Sequence, residues 1–396
     1  MIPPVTSFLL SQLTDALTER EAAGLLRRRR VLESPQGARI LVDGREVVSY
    51  CSNDYLGLAN HPALIEAAKS AADKAGIGSG ASHLITGHHA LHDSLEKALA
   101  NFVGLPQALL FTTGYMANLG AVTSLVGRGD EVFADRLNHA SLNDAVLLSR
   151  AEMTRFPHND VAVLEKLLAA SKAKNKLVIA DAVFSMDGDI APVQALLELC
   201  ERYDSWLMLD DAHGFGVLGD KGQGILSHAG IASPRIVYMA TLGKAAGVSG
   251  AFVAAQPEVI KTLIQNARTY VYTTASPPML AGALLASLEV IEAEAWRRTH
   301  LQTLVQTLKR SLVLQRWQLA PSDTAIQPLI IGDNHEALRV SERLLERGLL
   351  VPAIRPPTVP KGTARLRISL SAAHTVEDVQ QLAAEISALE RESVGA

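Results

Sequence analysis

The chain predicts an α/β fold, with a mostly parallel sheet flanked by helices and a smaller α+β domain at its C-terminal end. Three observations carry this. From about residue 90, short apolar runs alternate with segments of helical period. Apart from Glu131 at the start of one, those runs are apolar throughout, as strands buried on both faces of a parallel sheet must be. Around residue 280 the pattern changes to one long helical stretch followed by scattered β-like runs. A chain of 396 residues also exceeds what one hydrophobic core supports, so a large domain with a companion is expected.

The elements follow in order. Residues 13–32 read as an amphipathic helix, with Leu13, Leu17, Leu25 and Leu26 among charges. Two short β segments, 39–42 and 47–50, flank the Asp43-Gly44 turn and form a hairpin that ties this N-terminal arm to something larger. The body's strands are expected at 108–111, 131–134, 177–180, 206–209, 236–240 and 251–254, with helices such as 161–170 and 193–203 between them. A helix over 280–296, continuing towards 314, leads to β-like runs at 327–331 and 365–369 and to helices at 336–347 and 376–392. The proline-rich stretch 355–362 cannot be a central strand and reads as a rigid loop. The expected division is an arm at 1–50, a ligand-binding body at 51–285 and a cap at 286–396.

Composition narrows the function. Hydrophobic residues at 48% and charged residues at 20% suit a well-buried enzyme, and a net charge of -4 gives no reason to expect nucleic acid. The dense basic run Arg27-Arg28-Arg29-Arg30 reads, on composition, as the solvated end of the early helix. Two cysteines, Cys51 and Cys200, and no CxxC pattern indicate neither a disulfide framework nor a zinc site, and fit a reducing, cytoplasmic compartment. Residues 1–10 make a poor signal peptide, and the apolar stretch 279–291 is too short to span a bilayer. A soluble protein is expected.

The chemistry lies in two segments about thirty residues apart. The run Trp206-Leu-Met-Leu-Asp-Asp-Ala-His213 looks like a buried strand delivering a carboxylate and an imidazole to its carboxyl end, where ligands of an open parallel sheet bind. Lys244 sits in a glycine- and alanine-rich turn, three residues after Thr241. Taken singly, each part has an ordinary explanation: a loop lysine, a helix cap, a hydrogen-bonded histidine. In one chain and in this order they match what pyridoxal 5′-phosphate (PLP) requires. It needs a lysine to form an imine, an acid to keep the ring nitrogen protonated, and donors for the phosphate. Asp210 suits the ring nitrogen, His213 the phenolic oxygen and Thr241 the phosphate. Lys244, once desolvated, serves as imine partner and proton carrier. Gly114, after the 108–111 strand, opens a helix whose N–H groups suit an anion. Tyr115 and His139 are flat side chains placed to cover a ring, and Ser185 lies beyond another strand. Asp187-Gly-Asp189 lacks the further ligands of a calcium loop, and no metal is assigned.

These residues resemble the α-oxoamine synthases of the fold-type I PLP-dependent transferases, over nearly the full length. The resemblance rests on Ser52-Asn-Asp-Tyr-Leu-Gly-Leu58, Gly76-Ile-Gly-Ser-Gly80, Val183-Phe-Ser-Met-Asp-Gly-Asp189, Asp210-Asp-Ala-His-Gly214 and Thr241-Leu-Gly-Lys244. Ala353-Ile-Arg-Pro-Pro-Thr-Val-Pro360 with Gly362-Thr-Ala-Arg-Leu-Arg367 resembles the branch that joins L-alanine to a pimeloyl thioester, carried by coenzyme A or an acyl carrier protein. The resemblance implies phosphate contacts from Gly114, Tyr115 and Thr241, stacking by His139, and Ser185 and His213 beside the cofactor. It puts Asp210 at the ring nitrogen and Lys244 on the cofactor carbonyl. It further implies substrate contacts from Arg27, Asn53 and Thr358, and an Arg367 that holds the amino acid carboxylate. A homodimer with the site at its interface is implied, with Thr273 and Thr274 reaching the neighbour's phosphate. Two departures stand out: Ala81 and His83, where the family more often has glycine and arginine, and Phe215 in place of a threonine. The rivals are a sister reaction using glycine or serine with another acyl chain, and a silent subunit on the same scaffold.

Overall fold

Seven strands form the central sheet of the computed structural model, which describes residues 8–27 and 29–394. Their order across the sheet is Gln107–Phe111, Ala251–Ala255, Ile236–Thr241, Trp206–Asp210, Lys176–Asp181, Glu131–Asp135 and Glu152–Phe156. The last five run parallel; Ala251–Ala255 runs against both its neighbours. Six strands therefore end on one edge, and the loops after Phe111, Asp135, Asp181, Asp210 and Thr241 converge there.

Both faces are covered, as the apolar runs require. One face packs under the helices Gly114–Leu125, Ala140–Ser149 and Pro257–Asn266 through Ala117, Ala121, Val146 and Leu263. The other carries Ala90–Val103, Val161–Ala170 and Val193–Arg202, contributing Leu95, Leu99, Leu164, Leu168 and Leu196. Local chemistry sets the ends. Asp160 caps Val161–Ala170 by accepting the Val163 N–H at 3.0 Å, and Gly104 ends Ala90–Val103 in the left-handed conformation.

The C-terminal part holds a four-stranded antiparallel sheet in the order Gln318–Leu319, Ile326–Gly332, Ala364–Ser369, Ala353–Ile354. The hairpin Arg39–Val42 and Arg45–Ser49 forms, and its second strand pairs in parallel with Leu349–Leu350.

Several expectations are corrected. The N-terminal helix is Phe8–Ala22, not 13–32; it ends before Gly24, whose φ is +64°, and none of its side chains is buried. Arg27 follows in irregular backbone, and Arg28 and residues 1–7 lie outside the described residues. The long stretch from 280 breaks into Pro278–Ala293 and Trp296–Ser311. At the break Glu294 pairs with Arg297 at 2.7 Å, and Arg297 turns to reach the Leu56 carbonyl at 2.9 Å. Among the described residues no helix is long and apolar enough to cross a membrane.

Candidate active site

A cleft of 190 Å³ opens at the carboxyl edge of the sheet, lined by residues that include Gly114, His139, Asp210, His213, Thr241 and Lys244. Lys244 Nζ lies 2.7 Å from His213 Nε2, and His213 Nδ1 lies 2.6 Å from the Tyr55 hydroxyl. Tyr55 donates in turn to Asn53 Oδ1 at 3.1 Å, where the Arg367 guanidinium also donates at 3.3 and 3.4 Å. One arrangement of protons satisfies the whole row. Lys244 donates to Nε2, His213 donates from Nδ1 to Tyr55, and Tyr55 donates to Asn53. A neutral imidazole is required. Burial first, then the positive Lys244 and Arg367, hold His213 well below its ordinary range. The amine itself is pushed down by burial, against the pull of Asp210 and Asp181, to about 8.

The floor is a second row. Asp210 Oδ1 accepts the Ala212 N–H at 3.0 Å, and Oδ2 accepts the Asn118 amide at 2.7 Å. Asn118 also donates to Ser141 Oγ at 2.8 Å, which sits 2.7 Å from His139 Nδ1. Asp181 faces Asp210 across the sheet, since their strands pair at that position. Burial, and then the charge of Asp210, raise the Asp181 carboxyl well above the usual carboxylate range. The neighbouring Asp211 turns into the core instead, where it accepts from Ile225 N at 2.7 Å and the Tyr238 hydroxyl at 2.8 Å.

Gly114 opens the helix Gly114–Leu125, and Thr113 caps it by accepting the Met116 N–H at 3.2 Å. A Cβ added at Gly114 would stand 3.8–4.0 Å from Met239 and Thr241, in the space the cleft keeps open beside the helix N-terminus. A half-buried amine, a doubly bonded carboxylate, a flat imidazole and an anion-sized opening at a helix start are the donor set PLP demands. The residues fit the cofactor.

Of the expected residues, Gly114, Tyr115, His139, Asp210, His213, Thr241 and Lys244 line one cleft. Asn53 and Arg367 join it through Tyr55 rather than by lining it. Ser185 contributes its carbonyl, which accepts from Arg367 Nε at 2.6 Å. Thr273 and Thr274 are not among the lining residues, and neither are Arg27 and Thr358, which are exposed on segments linked where Arg355 donates to the Gly24 carbonyl. Phe215 does not touch the cleft: it is buried against Phe102 and Phe252, so its departure concerns the core. Asn118, Ser141, Asp181 and Tyr55 were not assigned from sequence. Asp181 lies one residue beyond an expected strand, and that position was its only trace.

Residues 45–386 match the family of class I and II aminotransferases, and the chain belongs to that family. It is 63% identical over 380 residues to the 8-amino-7-oxononanoate synthase of Nitrosospira multiformis, 96% of each chain being covered. The 8-amino-7-oxononanoate synthase of Methylobacillus flagellatus is also 63% identical, over 374 residues and 94% of each chain. Among solved structures, the serine palmitoyltransferase of S. paucimobilis with bound PLP–myriocin superposes with a TM-score of 0.92 at 29% identity, covering 98% of this chain and 100% of that one. The relatives put the chain in the 8-amino-7-oxononanoate synthase branch of its family.

Proposed function

We propose that this protein condenses L-alanine with a pimeloyl thioester, losing carbon dioxide and releasing the carrier thiol, to give 8-amino-7-oxononanoate for biotin biosynthesis. The observation that carries the reading is the Lys244 amine resting on a neutral His213 above Asp210, in a chain 63% identical to synthases of that name. PLP is the cofactor, and when bound it supplies an electron sink that stabilises a carbanion at the amino acid α-carbon.

The remaining work falls to this chain's side chains. Lys244, with its amine near 8, takes the proton from the α-carbon and later returns one. His213 holds that amine in place, and its far nitrogen is fixed by Tyr55. Asp210 offers its charge to the ring nitrogen, kept in line by Asn118. His139 would cover the ring, and Ser185 would lie beside it. The Gly114 and Tyr115 N–H groups and the Thr241 hydroxyl take the phosphate. Arg367 takes the substrate carboxylate by exchanging its long bonds to Asn53 for shorter, charge-assisted ones.

Arg27 and Thr358 are assigned to the acyl donor, whose carrier is coenzyme A or an acyl carrier protein. Both are exposed on neighbouring segments, beside a basic run that suits an anionic carrier. Thr273 and Thr274 are assigned to the cofactor phosphate of a partner subunit in a homodimer. The body at 51–285 carries the cofactor, the cap at 286–396 supplies Arg367, and the arm at 1–50 carries Arg27. The free Cys51 and Cys200 suit a reducing, cytoplasmic setting.

The test mixes PLP-loaded protein with pimeloyl-CoA and each of alanine, glycine and serine, with products identified by mass. Serine belongs in the panel because a serine palmitoyltransferase superposes on this fold. The oxononanoate product with alanine alone is expected. Turnover with glycine or serine but not alanine would point to a sister reaction. Absence of product with both pimeloyl-CoA and a pimeloyl carrier protein would overturn the reading.

A further inference from the structure

A second group of side chains, outside the Lys244 cleft, has the chemistry of a metal centre. His83, His88 and His92 meet where the π-helical turn His83–Gly87 leads into the helix Ala90–Val103. Each offers a ring nitrogen, and the three nitrogens lie within 4.8 Å of one another. His83 Nδ1 faces His88 Nδ1 at 2.9 Å. Two nitrogens on one tetrahedral zinc ion, each ~2.0–2.1 Å from it, stand about 3.3 Å apart. The pair is thus within a few tenths of an ångström of a ligating separation. Glu96 Oε2 lies 3.9 Å from His88 Nε2 on the outer side.

We propose that His83, His88 and His92 bind one divalent transition-metal cation, zinc foremost, with water completing the shell. Nitrogen donors select zinc, nickel or copper over magnesium and calcium. The site is built around a fixed ring: His83 stacks on Tyr270 with centroids 4.9 Å apart and planes 10° from parallel. His92 is held at both nitrogens, by the His89 N–H at 3.0 Å and the Ser276 carbonyl at 2.9 Å. Ligation costs it one of these bonds, so His83 and His88 are the primary ligands. A single proton lies between those two nitrogens, and moving it to the far nitrogen of the same ring frees both lone pairs without net proton release.

The ion would tie together the one segment 83–92, beside which a second backbone segment already lies. Ala275 N donates to the Ala81 carbonyl at 3.0 Å, and Ser79 Oγ donates to the Ser276 carbonyl at 2.5 Å. The metal's role is therefore to stiffen the turn against which the segment through Thr273 and Thr274 rests.

Tag-free, PLP-loaded protein stripped with a chelator is titrated with Zn²⁺ by calorimetry and with Co²⁺ by visible absorption. One ion per chain is expected, with no comparable binding of Mg²⁺ and a rise in melting temperature on adding Zn²⁺. His88→Gln, at an exposed ring, should weaken Zn²⁺ at least about tenfold, since even outer-shell changes at metal sites cost that much. His83→Gln should remove binding; if loss of its stacking prevents folding, the His88 variant still decides. Absence of Zn²⁺ binding, or binding unchanged in His88→Gln, would overturn the site.

Discussion

Lys244 shows how one residue's surroundings set its chemistry. Its ammonium form loses water on burial and recovers only part of that loss from Asp210 and Asp181, so its amine drops from 10.5 to about 8. The neutral form is the nucleophile that captures a carbonyl cofactor. Loading of PLP onto the apo-protein, followed by absorbance, should accelerate up to about pH 8 and level off above about pH 9. A rate still climbing at about pH 10 would mark an ordinary lysine. Asp210 gives the complementary test. Asp210→Asn keeps the shape and removes the charge, and should cut turnover roughly 10²–10³-fold, the scale of losing one aimed electrostatic partner. Retention of full activity would remove Asp210 from the ring nitrogen.

Between elements, charge pairs fix how the loops meet. His158 bridges the strand end at Asp135, at 3.1 Å, to Asp189 in the 184–189 loop, at 2.8 Å. Burial opposes its charge, but the bonds to the two carboxylates outweigh that and push the imidazole up to about 10. A folded-state value raised above 6.5 contributes stability that is complete below about pH 6.5 and fades as pH rises through about 10. His158→Gln should therefore cost roughly 2 kcal/mol at pH 6, between the values for surface and buried pairs. The gap in urea unfolding free energy should close by about pH 10.5; a gap independent of pH would show that packing against Phe184, not charge, is what the substitution removes. The elements themselves divide by what the sequence encodes. The buried strands were legible because their middles are apolar on both faces. Glu152–Phe156 was not, since an edge strand with Glu152, Thr154 and Arg155 has only Phe156 buried. Nor is direction encoded: Ala251–Ala255 is as apolar as its neighbours yet runs against them. In the site, Lys244, Asp210 and His213 were legible from their strand-end positions. Asn118 was hidden inside a helix, where only tertiary contact with Asp210 gives it a task.

At the scale of the molecule, surface composition points to assembly. Ile85 at 74%, Leu147 at 68% and Tyr272 at 73% exposure are large apolar side chains left to solvent. Ile85 and Tyr272 lie on segments joined through Ala81 and Ala275. The protein should sediment as a dimer at micromolar concentration, and Ile85→Glu should shift it towards monomer with loss of turnover. A fully active monomer would sink the reading that Thr273 and Thr274 serve the partner's site.

The pairing of Val48 with Leu349 and Ser49 with Leu350 has a consequence in time. A ribosome adding ~5–20 residues per second needs roughly 15–60 s to make the intervening stretch of about 300 residues. Throughout that interval the hairpin Arg39–Ser49 waits with one edge unmatched, while the central sheet acquires its last strand once Ala255 emerges. Arg367 comes later still. The nascent chain thus exposes a finished lysine cleft for more than a hundred residues of synthesis before the arginine proposed to seat its substrate exists.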